Sequence, residues 1–325
     1  MIQTGEGGVE VDAPAVSGTG KRSGAKRRVK DLLLDYQLYL MLMPALAVLL
    51  VFKYIPIYGA LIAFKDYNLV EGVFGSEWVG LKHFHDLFQS DKFYEVFVNT
   101  LLINLYKLVF QFPIPIILAL LINEVRSTFF KRFSQSVTYL PHFLSWVIVS
   151  AVFANLLSPT GGIVNELLGY FGIDPIMFMS DERFFRTVLV VSSAFRESGW
   201  SSIIYLAAIM AIDTQLYEAA RIDGAGKLRQ IWHITLPGIR SVIVFIIMLR
   251  LGAALANDLE QVLMFYSPMV YRVGDVLGTY VYRVGLGQMK YSFSTAVNLF
   301  QSVIGFVLII VANTISKRYG DRGLW

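Results

Sequence analysis

The chain has 325 residues, of which 55% are hydrophobic and only 16% charged, with a net charge of +4 and no cysteine. A soluble domain carries a charged fraction of about a quarter, so this composition and a mean hydropathy of +0.57 argue for a chain that lives largely in lipid. The missing thiols exclude disulfide frameworks, thiolate metal sites and cysteine nucleophiles.

Residues 1–30 form a polar tail that ends in the basic run Lys21, Arg22, Lys26, Arg27, Arg28 and Lys30. The tail holds no apolar core with a small-residue cleavage site, so no secretory signal peptide is expected. Basic clusters beside a first apolar segment hold that end in the cytoplasm, and a nucleic-acid partner is not expected. Six stretches then match the ~20 mainly apolar residues that cross a bilayer as a helix. They are 37–60, 100–122, 136–157, 187–212, 241–262 and 295–316. The first contains Pro44, Lys53 and Pro56, and the fourth carries Arg196 and Glu197. None alternates in polarity as a barrel strand does. The expected fold class is therefore an all-α integral membrane protein of six transmembrane helices, with residues 31–325 as one membrane domain.

Lys and Arg are twice as frequent on one set of loops as on the other. With the N-terminus inside, the cytoplasmic set includes the tail, Arg126, Lys131, Arg132, Arg221, Lys227, Arg229, Arg240, Lys317 and Arg318. The positive-inside rule then places both termini in the cytoplasm. The outer loops are rich in turns, with Gly72, Gly75 and Gly80 in the first and Pro159, Gly161 and Gly162 in the second.

The cytoplasmic loop 213–240 reads as structured. Asp213 or Thr214 can cap a helix, and Leu216, Ala219, Ala220 and Asp223 fall at helical spacing. Gly224 can take the left-handed conformation that ends the helix. A second short helix is expected to turn Leu228, Ile231 and Trp232 to one side and to expose Lys227, Arg229 and Gln230. Pro237 then stops it. A helix–Gly–helix element of this kind suits a partner's groove.

Glu218-Ala219-Ala220, three residues, Gly224, nine residues, Ile234, one residue and Leu236-Pro237 resemble the cytoplasmic signature of permeases in binding-protein-dependent ABC importers. The run from Tyr139 through Pro141 and His142 to Trp146, with Asn99-Thr100-Leu101, resembles the branch that carries oligosaccharides and polysaccharides, and alginate importers in particular. The resemblance covers about 30–325. It implies a type I importer bundle in the bacterial cytoplasmic (inner) membrane, paired with a second related permease and two copies of a cytoplasmic ATPase. It also implies an extracytoplasmic substrate-binding protein that delivers the sugar. On this pattern Tyr217, Glu218, Ala219, Ala220, Asp223, Gly224, Ala225, Trp232, Leu236 and Pro237 form the ATPase-coupling element. ATP and Mg would be held by the ATPase, so no cofactor is expected on this chain and it would not be an enzyme. The one near-match to a phosphate-binding loop, Gly75 to Lys82, has Leu81 where that loop needs lysine.

Polar residues inside spans are costly and usually face a cavity or a partner. Asn104, Lys107 and Gln111 share one face of the second predicted span, and Arg250, Asn257 and Gln261 one face of the fifth. Arg196, Glu197, Trp200 and Tyr205 fall on the fourth, Asn298 and Gln301 on the sixth. Together they are expected to line a substrate path, since sugar hydroxyls suit amides and charges while C–H faces suit Trp and Tyr. The competing explanation is helix-to-helix bonding, or snorkelling for Lys53 and Arg196 near the predicted outer ends. Lys107, Arg196 and Arg250 bias the path towards positive charge, which favours an acidic oligosaccharide. Gly252 and Gly305 are expected to be close-packing positions. His83 and His85 lack a third ligand and are expected at the surface, so no metal site is expected.

Two rival functions exist. An ion- or proton-coupled sugar carrier would show internal repeats and would leave the coupling signature unexplained. A membrane enzyme acting on lipid-linked sugars would want carboxylates near the surface, where Asp258 and Glu260 are the suggestive pair.

Overall fold

In lipid each backbone N–H and C=O must find its partner within the chain, and these apolar runs do so as helices. The structure is a computed structural model that describes residues 36–255 and 259–318. The basic tail, Asn257 and Asp258 lie outside the described residues. Two compact units are distinguished, Met1–Tyr58 and Gly59–Trp325. Helix α1, Tyr36–Leu49, carries Pro44 inside it and belongs to an apolar helical stretch, Tyr36–Phe64, long enough to span.

In the second unit a short antiparallel hairpin pairs Lys65 with Trp78 and Asp66 with Glu77. Helix α2, Asp91–Tyr106, starts where Ser90 Oγ accepts from Phe93 N at 3.3 Å. It passes through a π turn, Lys107–Gln111, into α3, Pro113–Glu124. Pro113 has no N–H to give and its ring crowds the preceding turn. The wider turn absorbs this, with Phe112 N donating to the Lys107 carbonyl at 3.0 Å.

The third predicted span is not one helix. Residues Thr128–Phe143 and Trp146–Leu156 meet at 103°; the regular helices here are α4, Thr128–Tyr139, and α5, Trp146–Leu156. Pro141 lies in the 3-10 turn Leu140–Phe143 that follows α4, and Ser145 Oγ caps the second segment by accepting from Ile148 N at 3.4 Å. Helix α6, Glu182–Met210, begins at 182 rather than 187, because Asp181 caps it and accepts from Arg183 N at 2.9 Å. Arg196 and Glu197 therefore sit at mid-helix and not near an outer end.

Helix α7, Thr214–Ile222, turns off α6 by 69°. Helix α8, Lys227–Gln230, a π turn Ile231–Thr235 and Pro237 lead at 58° into α9, Arg240–Ala253. The fifth predicted span stops there, and α10, Leu259–Phe265, is a separate segment. The broken end is held from outside: Gln301 Nε2 donates to the Leu255 carbonyl at 2.9 Å. Helix α11, Leu277–Tyr282, precedes α12, Tyr291–Arg318. By length and composition, three described helices could cross a membrane, or up to six when each bent pair counts as one span.

Three apolar clusters hold the second unit. One joins Ile103, Val149, Phe185, Leu189 and Phe265; a second joins Phe93, Val96, Leu277 and Val297; a third joins Phe112, Ile122, Tyr205, Ile209 and Ile239. Glycines set two close approaches. A Cβ on Gly305 would stand 2.7 Å from the Gly252 carbonyl, between α12 and α9, and one on Gly199 would strike the Thr138 carbonyl of α4.

Candidate functional site

Two features of the second unit bear on function. One is a cavity of about 510 Å³ lined by residues of α2, the following π turn, α5, α6, α9, α10 and α12. That volume lies in the range of ligand sites, about 300–1,000 Å³. Asn104, Lys107, Gln111, Arg196, Glu197 and Arg250 all line it. The π turn delivers Lys107 and Gln111 to this wall, since an extra residue in the turn rotates the helix face.

The polar groups around the cavity are interlocked. Lys107 Nζ donates to Gln261 Oε1 at 2.7 Å, and Gln261 Nε2 donates to the Leu189 carbonyl at 2.7 Å and to Ser192 Oγ at 2.9 Å. Ser193 Oγ donates to Gln111 Oε1 at 3.0 Å, and Gln111 Nε2 returns a bond to the Ser193 carbonyl at 3.4 Å. Gln111 thus also ties the π turn to α6. Arg196 pairs with Glu197, donates from Nε to the Leu144 carbonyl at 2.8 Å and lies over the Trp146 ring at 4.7 Å. His142 Nδ1 lies 3.2 Å from Glu197 Oε2. Arg250 reaches over the Phe112 ring at 5.7 Å.

Four other residues expected on the path stand elsewhere. Tyr205 is buried in the third cluster, edge-on to Phe112 at 6.4 Å. Trp200 stacks on His142 at 4.8 Å with the rings 3° from parallel. Asn298 is exposed on α12 and Gln301 is the buried tie to Leu255; neither lines the cavity. Asn257 is outside the described residues. The predicted shared helical face of Arg250 and Gln261 does not exist, because α9 ends at Ala253, yet both reach the cavity. Trp146 and Ser193 also line it. The capped helix start at Ser145 was the available signal for Trp146; nothing local marks Ser193.

The second feature is the element from Thr214 to Pro237. Asp213 caps α7 by accepting from Gln215 N at 2.9 Å. Its end is a Schellman turn: Ala225 N donates to the Ala220 carbonyl at 2.8 Å, Gly224 N to the Arg221 carbonyl at 3.1 Å, and Gly224 has φ +75°. Tyr217 Oη and Thr235 Oγ1, 3.0 Å apart, join the two arms. Lys227 pairs with Glu124 at the end of α3 at 2.7 Å, which ties the element to the bundle. In the second helix Lys227 and Arg229 are exposed as expected, but the rest departs from the sequence expectation. Gln230 is buried and donates to the Ala225 carbonyl at 2.8 Å, while Leu228 is 74% and Trp232 67% exposed. Glu218, Ala219, Asp223, Gly224 and Pro237 are exposed as well, with Tyr217, Ala220, Ala225 and Leu236 partly so. His83, expected at the surface, is buried with Nε2 3.1 Å from the Lys65 carbonyl.

Four likenesses to known proteins bear on this chain. Residues 111–321 match the family described as binding-protein-dependent transport system inner membrane component. The chain is 46% identical over 317 residues to the polygalacturonan/rhamnogalacturonan transport system permease protein YteP of Bacillus subtilis (strain 168), covering 97% of this chain and 99% of the relative. It superposes with a TM-score of 0.83 and 40% identity on a chain of a bacterial ABC transporter that imports the acidic polysaccharide alginate, covering 91% of this chain and 100% of that one. The same fit, with 99% coverage of the matched chain, holds for that transporter in complex with an alginate pentasaccharide-bound periplasmic protein.

Proposed function

The chain belongs to the family of binding-protein-dependent transport system inner membrane components, and on that premise we propose that it is the permease subunit of an ATP-driven importer of acidic oligosaccharides. The observation that carries this reading is the pairing of an exposed helix–Gly–helix element, 214–237, with a polar cavity inside the same bundle. Leu228 and Trp232 would be buried only by a partner, and a soluble ATPase seated on the element would supply that cover. ATP hydrolysis then resides in the partner, and this chain contributes motion of the cavity walls. Lys227 to Glu124 and Tyr217 to Thr235 make the element rigid enough to transmit it.

The relatives' named substrates, polygalacturonan and alginate, are chains of uronic acids, and the cavity holds arginine. Both support an acidic cargo. A periplasmic binding protein would deliver it, as one is present with the alginate transporter. A second related permease, two ATPase copies and a bacterial inner-membrane location complete the proposal, with alternating access as a population shift between two bundle states.

Gly224→Asp tests it. Open space surrounds Gly224, so the change adds charge at the docking surface and strain at a left-handed residue without disturbing the spans. The wild type is expected to co-purify with its ATPase and the variant to insert normally but lose ATPase binding or transport. Transport with no ATPase bound to either form would overturn the reading.

A further inference from the structure

Arg250 lies in the last turn of α9, ten residues past Arg240 at its start. At ~1.5 Å per residue that is about 15 Å along the axis, half of the ~30 Å hydrocarbon layer. A charge at that depth is costly and faces a partner or a wet cavity. Arg250 faces the cavity. Among the described residues it has no carboxylate within ion-pair distance and donates to no acceptor; the Phe112 ring lies under it, and Tyr205 and Glu197 stand within electrostatic range.

The other cations on this wall differ. Arg196 is closed off by Glu197, the Leu144 carbonyl and Trp146. Lys107 is engaged by Gln261. Of the three, Arg250 is the one that neither donates to a described acceptor nor pairs with a carboxylate, and it lines the cavity.

We propose that Arg250 is a specificity-determining residue that takes the carboxylate of a uronic-acid unit in transit, which rests on the importer reading above. The planar fork of a guanidinium suits a carboxylate with two parallel N–H···O bonds. A carboxylate is also the group that separates a uronic acid from a neutral hexose. The competing role is structural, because a cation in the last helical turn faces the terminal carbonyls and a ring holds it by cation–π attraction. A structural arginine would serve acidic and neutral cargo alike.

The test uses the complete importer with its ATPase and binding protein in liposomes, and trigalacturonate as the probe. Arg250→Gln is expected to lower ATP-driven uptake of trigalacturonate about tenfold or more in a complex that still assembles, and Arg250→Lys to keep an intermediate rate. Uptake by Arg250→Gln within about twofold of the wild type, a margin too small for a lost charged pair, overturns the proposal. Basal ATPase falling in step with uptake in both variants also overturns it. Should Arg250→Gln fail to assemble, Ala254→Cys on the cavity wall gives a clean thiol, since the chain has no other cysteine. Its maleimide labelling is expected to be blocked by trigalacturonate and not by neutral galactotriose; equal protection by both, or by neither, overturns the proposal. A wild type that imports neutral but not acidic oligosaccharides sinks this inference alone, whereas one with no ATP-dependent uptake of any oligosaccharide sinks the importer reading first.

Discussion

Gly199 and Gly224 are both conspicuous in the chain, and the reasons for them are opposite. At Gly199 the backbone is ordinary helix, but a Cβ would strike the carbonyl of Thr138, and a carbonyl on a neighbouring helix cannot rotate away as a side chain can. At Gly224 the surroundings are open and the constraint is φ +75°. Gly199→Ala should therefore push α4 off α6 and destabilise the protein by about 1–3 kcal/mol, the usual range for overpacking. Gly224→Ala should cost about 1 kcal/mol through its left-handed backbone alone. Thermal unfolding of the two purified variants in the same detergent checks this. A Gly199→Ala midpoint at or above that of Gly224→Ala would show that the α4–α6 approach is looser than the geometry requires. Arg196, Glu197 and Gln261 teach a related lesson, since each could be recognised as an intramembrane polar residue but not sorted into cavity or tie. That sorting depends on partners distant in the chain, such as Leu144, Leu189 and Ser192.

Between residues and bundle stands the element that runs from α7 to Pro237. Its inner groups are satisfied within itself by Gln230 with Ala225 and Tyr217 with Thr235, so its outer groups are free to act on a partner. Large exposed aromatics and aliphatics on a rigid element are the usual anchors of an interface, where one truncation costs about 2 kcal/mol or more. Trp232→Ala and Leu228→Ala are each expected to weaken ATPase binding by about tenfold or more, with no loss of unfolding temperature. Titration of the ATPase onto immobilised permease measures both. A drop in stability with unchanged affinity would mean that these side chains pack inward instead. The caps at Asp213 and Gly224 were legible because capping is local chemistry. The orientation of α8 was not, because Leu228, Ile231 and Trp232 look like a core stripe unless one knows that Gln230 reaches back to Ala225. The same limit applies to α9. Gly252, Ala253 and Ala254 give no local stop signal, and the break is stabilised by Gln301 from α12. Spans two and six were legible because their apolar runs are long and continuous. The bend at Pro141 had its signal in the proline and Ser145, outweighed by the apolar run around them.

Whether the bent pair α4 and α5 crosses the membrane decides the topology of the whole chain. At ~1.5 Å per residue, α5 with its 11 residues reaches about 16 Å, well short of the ~30 Å layer, so it cannot span alone. The contacts nevertheless follow α6 from Gly199 back to Phe185. Thr138 of α4 lies against Gly199, the Leu144 carbonyl accepts from Arg196, and Phe153 meets Phe195 at 5.9 Å and joins the cluster of Phe185 and Leu189. A segment that tracks a neighbour of 29 residues from past its middle almost to its start is expected to cross with it, bend or no bend. The expectation is therefore six crossings with residues 126–132 and 213–240 on the cytoplasmic side. Single cysteines at the exposed positions Val70, Tyr170, Phe129 and Ile222 test it with a membrane-impermeant maleimide on spheroplasts, because no native cysteine competes on this chain. Val70→Cys and Tyr170→Cys should react in intact spheroplasts, and Phe129→Cys and Ile222→Cys only after permeabilisation. Reaction of Phe129→Cys and Tyr170→Cys from the same side would make the bent pair a re-entrant loop. The parity of every later crossing would then reverse, and the 214–237 element could not share a compartment with the N-terminus and a cytoplasmic ATPase.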